Sequence, residues 1–145
     1  MRRHILIAAA VLITTSAHAH NGVKDPEVMA RMMAMEKIGA AFKTLVSMAK
    51  QEIPLHQAKA RMARDTIVIQ SGKIDALFEN PATDPKSEAL PTIWEDWAHF
   101  SAKSDDLTKA AIALDFKDHA ALASTLGGVG LACKACHKNY RLKKD

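Results

Sequence analysis

Five residues near the C-terminal end, Cys133-Lys134-Ala135-Cys136-His137, set two thiols and an imidazole side by side. Two thiols at this spacing add across the two vinyl groups of one haem and leave thioether bonds. The histidine that follows offers a neutral ring nitrogen to the iron. C-x-x-C-H is the sequence form of c-type haem attachment. On a helix, Cys133, Cys136 and His137 lie three and four residues apart and project from one side. Other uses of paired cysteines fit less well. A thioredoxin-like pair needs a βαβ context, and none is visible. A structural zinc site needs four ligands, and the chain has only two cysteines. A plain disulfide leaves the adjacent histidine unexplained. The expected cofactor is one covalent haem c, with its iron on His137.

The elements that must position this group read as four helices. The first opens at Asp25-Pro26-Glu27, with an acid as N-cap, proline at the first helical position and a second acid near the positive helix end. It runs to about Lys50 on a seam of Val28, Met32, Met35, Gly39, Phe42, Val46 and Ala49. The second is expected from near Pro54 to Phe78. Leu55, Ala58, Met62, Ile69 and Ala76 share its inner side, Ile67, Ile74 and Leu77 lie beside them, and Gly72 is a weak point. Glu79 to Pro91 holds three prolines and no periodicity, so it reads as a long loop that covers something. The third helix runs from Pro91-Thr92 to about Leu114 on Ile93, Trp97, Phe100, Ser104, Leu107, Ala111 and Leu114. The fourth starts after Phe116, capped by Asp118, and presents Leu122, Leu126, Val129, Cys133, Cys136 and Tyr140 on one face. No stretch alternates at period two for long enough to be a strand. The fold class is therefore all-α.

Residues 1–19 read as a secretory signal peptide. Arg2 and Arg3 precede a short apolar run from Ile5 to Ile13, and Ala17-His18-Ala19 is a small-x-small cleavage site. Cleavage after Ala19 starts the mature chain at His20 and leaves one domain over 20–145. Export to the periplasm agrees with covalent haem attachment. Two of the twenty Lys and Arg go with the signal and none of the sixteen acids, leaving +2. That balance, without an aromatic-interleaved basic stripe, excludes a nucleic-acid partner. No other stretch is apolar enough to span a membrane.

Gly127-Gly128-Val129-Gly130 has neither the Gly-Lys-Ser/Thr nor the preceding strand of a phosphate loop. Inside a helix each glycine costs about 1 kcal/mol relative to alanine, so the run implies either a need for room or a break between two short helices. His56, His99 and His119 read as solvated or core-edge histidines, with His99 as a spare axial candidate. Trp94 and Trp97 read as core or haem-edge packing. Lys138, Arg141, Lys143 and Lys144 form a basic tail. It suits a helix C-terminus and equally a docking rim for an acidic redox partner.

A haem motif at the far end of a four-helix chain resembles the class II c-type cytochromes, the cytochrome c′ family with its low-spin, Met-ligated branch. Three stretches carry the resemblance. They are Val129-Gly130 through the haem motif to Tyr140-Arg141, Pro91-Thr92-Ile93-Trp94 with Phe100 beyond, and Arg31, Met35, Gly39 and Phe42. The resemblance implies an up-down-up-down four-helix bundle with covalent haem c near the C-terminal helix. It implies that Cys133 and Cys136 hold the haem and that His137 is the proximal ligand. Arg141 would lie near the proximal face, Arg31 would meet a propionate, and Met35 would take the distal position.

The distal position divides the family. In one branch a methionine sulfur fills the sixth site, and the protein carries single electrons in the periplasm. In the other the iron is five-coordinate and binds nitric oxide or carbon monoxide, and Met35 would only shield the face. The resemblance also implies a homodimer through the outer faces of the first two helices. No distal acid–base constellation accompanies the apolar seam around Met35, so no enzymatic activity is expected.

Overall fold

Asp25 starts the first helix as its residue type requires. Its carboxylate accepts the N–H of Glu27 at 2.9 Å and of Val28 at 3.0 Å, and Pro26 occupies the first turn of α1, Pro26–Ala49. The computed structural model describes residues 22–143, so the expected signal at 1–19, the start at His20 and the tail residue Lys144 lie outside the described residues. α1 ends in a left-handed turn at Gln51 (φ 60°), with Gln51 N–H donating to Met48 O and Glu52 N–H to Ser47 O. A glycine normally serves there, so the sequence carried no turn signal.

Five further helical segments follow: α2 (Gln57–Ser71), α3 (Ile74–Phe78), α4 (Thr92–Glu95), α5 (Trp97–Ile112) and α6 (His119–Tyr140). The expected second helix starts three residues later than its proline suggested, and it divides at Gly72-Lys73 into α2 and α3. The expected third helix divides at Asp96 (φ −130°, ψ 56°) into α4 and α5. The fourth is capped by Asp118, whose carboxylate accepts the N–H of Ala121 at 2.8 Å. Its glycine run is continuous helix, so the break does not occur.

Counted as bundle members, α1, α2 with α3, α4 with α5, and α6 make an up-down-up-down four-helix bundle. Two sets of contacts fix its ends. Gln57 Nε2 at the start of α2 donates to the carbonyl of Phe116, just before α6. At the other end the loop before α4 meets the C-terminus of α6. Leu90 N–H donates to Tyr140 O at 3.0 Å, Leu142 N–H to Glu88 O at 2.8 Å, and Thr92 Oγ1 to Asn139 O at 3.1 Å. The start of α1 lies at this second end too, because Arg31 reaches Leu77 and Ala82. α1 and α6 are therefore antiparallel.

The expected faces of α5 and α6 are the observed ones: Ile93, Phe100, Ser104, Leu107, Ala111, Leu114, Leu122, Leu126, Val129 and Tyr140 are all buried. On α1 the buried line is Val28, Arg31, Ala34, Ile38, Ala41, Leu45 and Met48, about one residue earlier than expected. Met35, Phe42, Val46 and Ala49 flank it, half-buried against the core, and Gly39 is exposed. The face expected for the second helix is displaced: its flanking Ile67 and Ile74 are buried and Leu55 and Leu77 half-buried against the core, but Ala58, Met62, Ile69 and Ala76 face outward. Met62 is 69% exposed and Ile69 54% exposed, while Ala60, Ala63, Ile67, Ser71, Ile74 and Phe78 face inward. Small residues line that face because α2 packs closely there, so the largest apolar side chains are poor guides to it.

Arg31 and Asp84 tie down the loop between α3 and α4. The Arg31 side chain, 3% exposed, donates from Nε to Leu77 O at 2.8 Å and from Nη1 to Ala82 O at 2.9 Å, and from Nη2 to Asn80 O. Its guanidinium lies over the rings of Phe78 (4.8 Å) and Trp94 (5.4 Å). Arg31→Met is expected to lower stability by about 2 kcal/mol in urea unfolding, because three part-buried carbonyls lose their donor.

Asp84 accepts the backbone N–H groups of Lys24, Asp25 and Lys86 at 2.8, 3.1 and 2.8 Å. Those bonds, led by Lys24 and Lys86, hold its carboxyl below the usual carboxylate range. Its contribution is thus present above the unfolded carboxylate pKa and disappears as pH falls through the lower folded one. Asp84→Ala is expected to flatten the acid limb of the melting temperature plotted against pH.

Candidate functional site

The haem motif occupies the last turns of α6, a helix begun by Asp118 and closed by Arg141, whose N–H donates to His137 O at 3.2 Å. Cys133 and Cys136 are free thiols, half-buried on the side of α6 that packs against the core. Burial pushes both thiol pKa values up. For Cys136, burial and the neighbouring Cys133 outweigh Lys103 and push it to about 11. His137 is exposed, but the atoms around its ring pull its pKa down by desolvation. Arg141 adds to the drop and Glu88 opposes it. That shift favours the neutral ring, the form that binds iron. Two unpaired thiols and one neutral imidazole on consecutive turns make a donor set that fits a covalently held haem.

Met35 comes to the same level of the bundle. A Cβ at Gly130 would lie 3.5 Å from Cζ of Phe42, so α1 and α6 approach closely there. Met35 stands two turns before Phe42 and His137 two turns after Gly130. The helices are antiparallel, so both residues lie roughly 10 Å from that crossing, in the same direction. Met35 is half-buried and packs against the core cluster.

The two arginines are placed differently. Arg141 is beside the motif, held by an ion pair to Glu88 Oε2 at 2.6 Å and by the antiparallel bridge with Ala89. Arg31 is at the correct end of the bundle, but the guanidinium expected to meet a propionate is engaged with the loop carbonyls. No spacing rule reveals that role, since its partners are backbone atoms more than forty-five residues away.

Several residues at this end escaped the sequence. Glu88 holds Arg141. Asp75 accepts the hydroxyls of Ser104, at 2.7 Å, and of Ser101, tying α3 to α5. His99, the spare axial candidate, has its Nδ1 2.7 Å from the Tyr140 hydroxyl. Trp97 and Phe100 pack at 5.5 Å between centroids, Phe100 and Phe78 at 5.2 Å, and Phe100 and Tyr140 edge-on at 5.3 Å. Trp94 donates its indole N–H to Phe78 O at 2.7 Å.

Comparison with known proteins agrees with this geometry. The profile of the Cytochrome C′ family matches residues 27–141. Cytochrome c′ of Rhodopseudomonas palustris is 34% identical, and the match covers all of both chains. Cytochrome c-556 of Agrobacterium tumefaciens (strain apple 185) is 35% identical over 80% of this chain and 94% of its own. The solved structure of Rhodopseudomonas palustris cytochrome c′ superposes with a TM-score of 0.77 at 34% identity, covering 84% of this chain and all of that one. A structural model of oxidised cytochrome c556 from R. palustris gives a TM-score of 0.75 at 26% identity over 84% of this chain and all of that one. By the family profile over most of its length and by these relatives, the chain belongs to the cytochrome c′ family and its cofactor is covalent haem c.

Proposed function

We propose that the protein carries single electrons through its haem, with Met35 as the sixth ligand to the iron. The observation that carries this reading is the shared level of Met35 and His137, which follows from the close approach of Phe42 to Gly130. When bound, the haem supplies a one-electron iron couple. Cys133 and Cys136 tether it, and His137 holds the iron from the α6 side. A thioether from Met35 favours the ferrous state and raises the potential. Arg141, paired with Glu88, keeps a compensated charge beside His137. Arg31 holds the wall of the loop rather than acting first on a propionate.

The partner expected for a carrier is an acidic redox protein. α6 has no Asp or Glu from His119 to Tyr140. Its outer side and the tail expose Lys134, Lys138 and Lys143 beside Leu131 (69% exposed) and Leu142 (55%). Met33 (43% exposed), Met62 and Ile69 put apolar groups on the outer faces of α1 and α2, where the homodimer would form. We place the protein in the periplasm on the strength of residues 1–19. No helix among the described residues is long and apolar enough to cross a membrane.

A second reading, an open iron site that binds nitric oxide or carbon monoxide, is favoured by the partial exposure of Met35. Carbon monoxide separates the two. Added to the reduced protein, it is expected to shift the Soret band slowly and incompletely. An immediate, complete shift at low carbon monoxide would establish the open site.

A further inference from the structure

The Tyr140 hydroxyl is a buried polar group that neither haem attachment nor electron transfer requires. Tyr140 is the chain's only tyrosine and is 5% exposed. Its hydroxyl lies 2.7 Å from Nδ1 of His99, a side chain that is 44% exposed. Asp96 Oδ2 lies 3.5 Å from the same nitrogen. In the tautomer protonated at Nε2, His99 offers Nδ1 as an acceptor for the phenol proton. The carboxylate of Asp96 is then placed to stabilise an imidazolium. On its other side the phenol ring meets Phe100, and Phe100 meets Trp97. Tyr140 also stands one turn beyond Cys136. The group thus joins the haem-bearing turn to the surface.

We propose that Tyr140 and His99 form a proton-coupled oxidation site that drains one-electron oxidising equivalents from this end of the bundle. The oxidant is a radical, such as an organic peroxyl. It takes one electron from the phenol and becomes the hydroperoxide anion. The O–H bond of Tyr140 breaks, its proton moves to Nδ1 of His99, and a neutral phenoxyl radical and an imidazolium beside Asp96 remain. Moving the proton within an existing hydrogen bond spares the system a charged phenol radical in an apolar surround. Burial and the nearby Asp96 push the phenol's pKa up, which favours the protonated phenol.

The test uses the ferric holoprotein, in which the iron does not supply the electron. A photogenerated ruthenium(III) tris-bipyridine complex serves as the one-electron oxidant, and freeze-quenched samples are read by electron paramagnetic resonance. The parent is expected to give a tyrosyl signal, formed more slowly in deuterated water. Tyr140→Phe, which keeps the ring against Phe100, should lose that signal while retaining its helical circular dichroism. His99→Phe should form it at least about tenfold more slowly, with a rate that rises with the concentration of buffer base. Three results would each overturn the proposal. They are an unchanged signal in Tyr140→Phe, an unchanged rate in His99→Phe, and a parent rate identical in light and heavy water.

Discussion

Alanine at both Cys133 and Cys136 is expected to leave a chain from which acidified acetone extracts all the haem, whereas the parent releases none. The two half-buried thiols are the chain's only cysteines, so no other residue can take over the tether. Without it, His137 must hold the haem at its free concentration in place of the high effective concentration that a covalent link imposes. The stability linked to the bound group falls accordingly. A ligand held at about a thousand times its dissociation constant contributes about 4 kcal/mol, and for a domain of this size its loss lowers the melting temperature by about 15 °C. Each single alanine variant should retain haem through one thioether and melt between the two. A double variant that kept its haem through acid-acetone would sink the attachment chemistry.

Met35→Leu is the second large effect. Leucine nearly matches methionine in volume, so the fold should lose less than about 1.5 kcal/mol. The iron, however, loses its sixth ligand. The ferric variant should become high-spin and its midpoint potential should fall, because the thioether no longer favours the ferrous state. Carbon monoxide binding should tighten. If the parent opens its sixth site about 1% of the time, its apparent affinity is reduced about 100-fold, and leucine removes that penalty. Optical spectra, a potentiometric titration and a carbon monoxide titration of the purified variant measure all three. A variant indistinguishable from its parent in spin state and gas affinity would reduce Met35 to a packing residue.

The attachment group was legible because its chemistry is local: thiols three apart and an adjacent imidazole need only a helix to become one site. α5 and α6 were legible for the same reason. Their large apolar residues, from Ile93 to Leu114 and from Leu122 to Tyr140, recur at helical spacing and face one core. α2 was not, because Ala60, Ala63 and Ser71 carry its close packing, while Met62 and Ile69, which dominate any apolar pattern, point outward. The break at Gly72-Lys73 falls at the weak point that local propensity marks, whereas the one at Asp96 reflects a tertiary demand on α4 that propensity does not encode. Contacts made to backbone atoms far along the chain were invisible for a similar reason. Arg31 could be placed at the haem end by resemblance, but its bonds to Leu77, Asn80 and Ala82 depend on how the loop is folded. Glu88 opposite Arg141 and His99 opposite Tyr140 are pairs separated by 53 and 41 residues.

Near-infrared magnetic circular dichroism of the oxidised holoprotein, read beside Met35→Leu, tests ligation by Met35 most directly, since the energy of the charge-transfer band of a low-spin ferric haem identifies a histidine–thioether pair of axial ligands. The account predicts that band in the parent and its disappearance in Met35→Leu; a parent with a high-spin spectrum and no such band would contradict it.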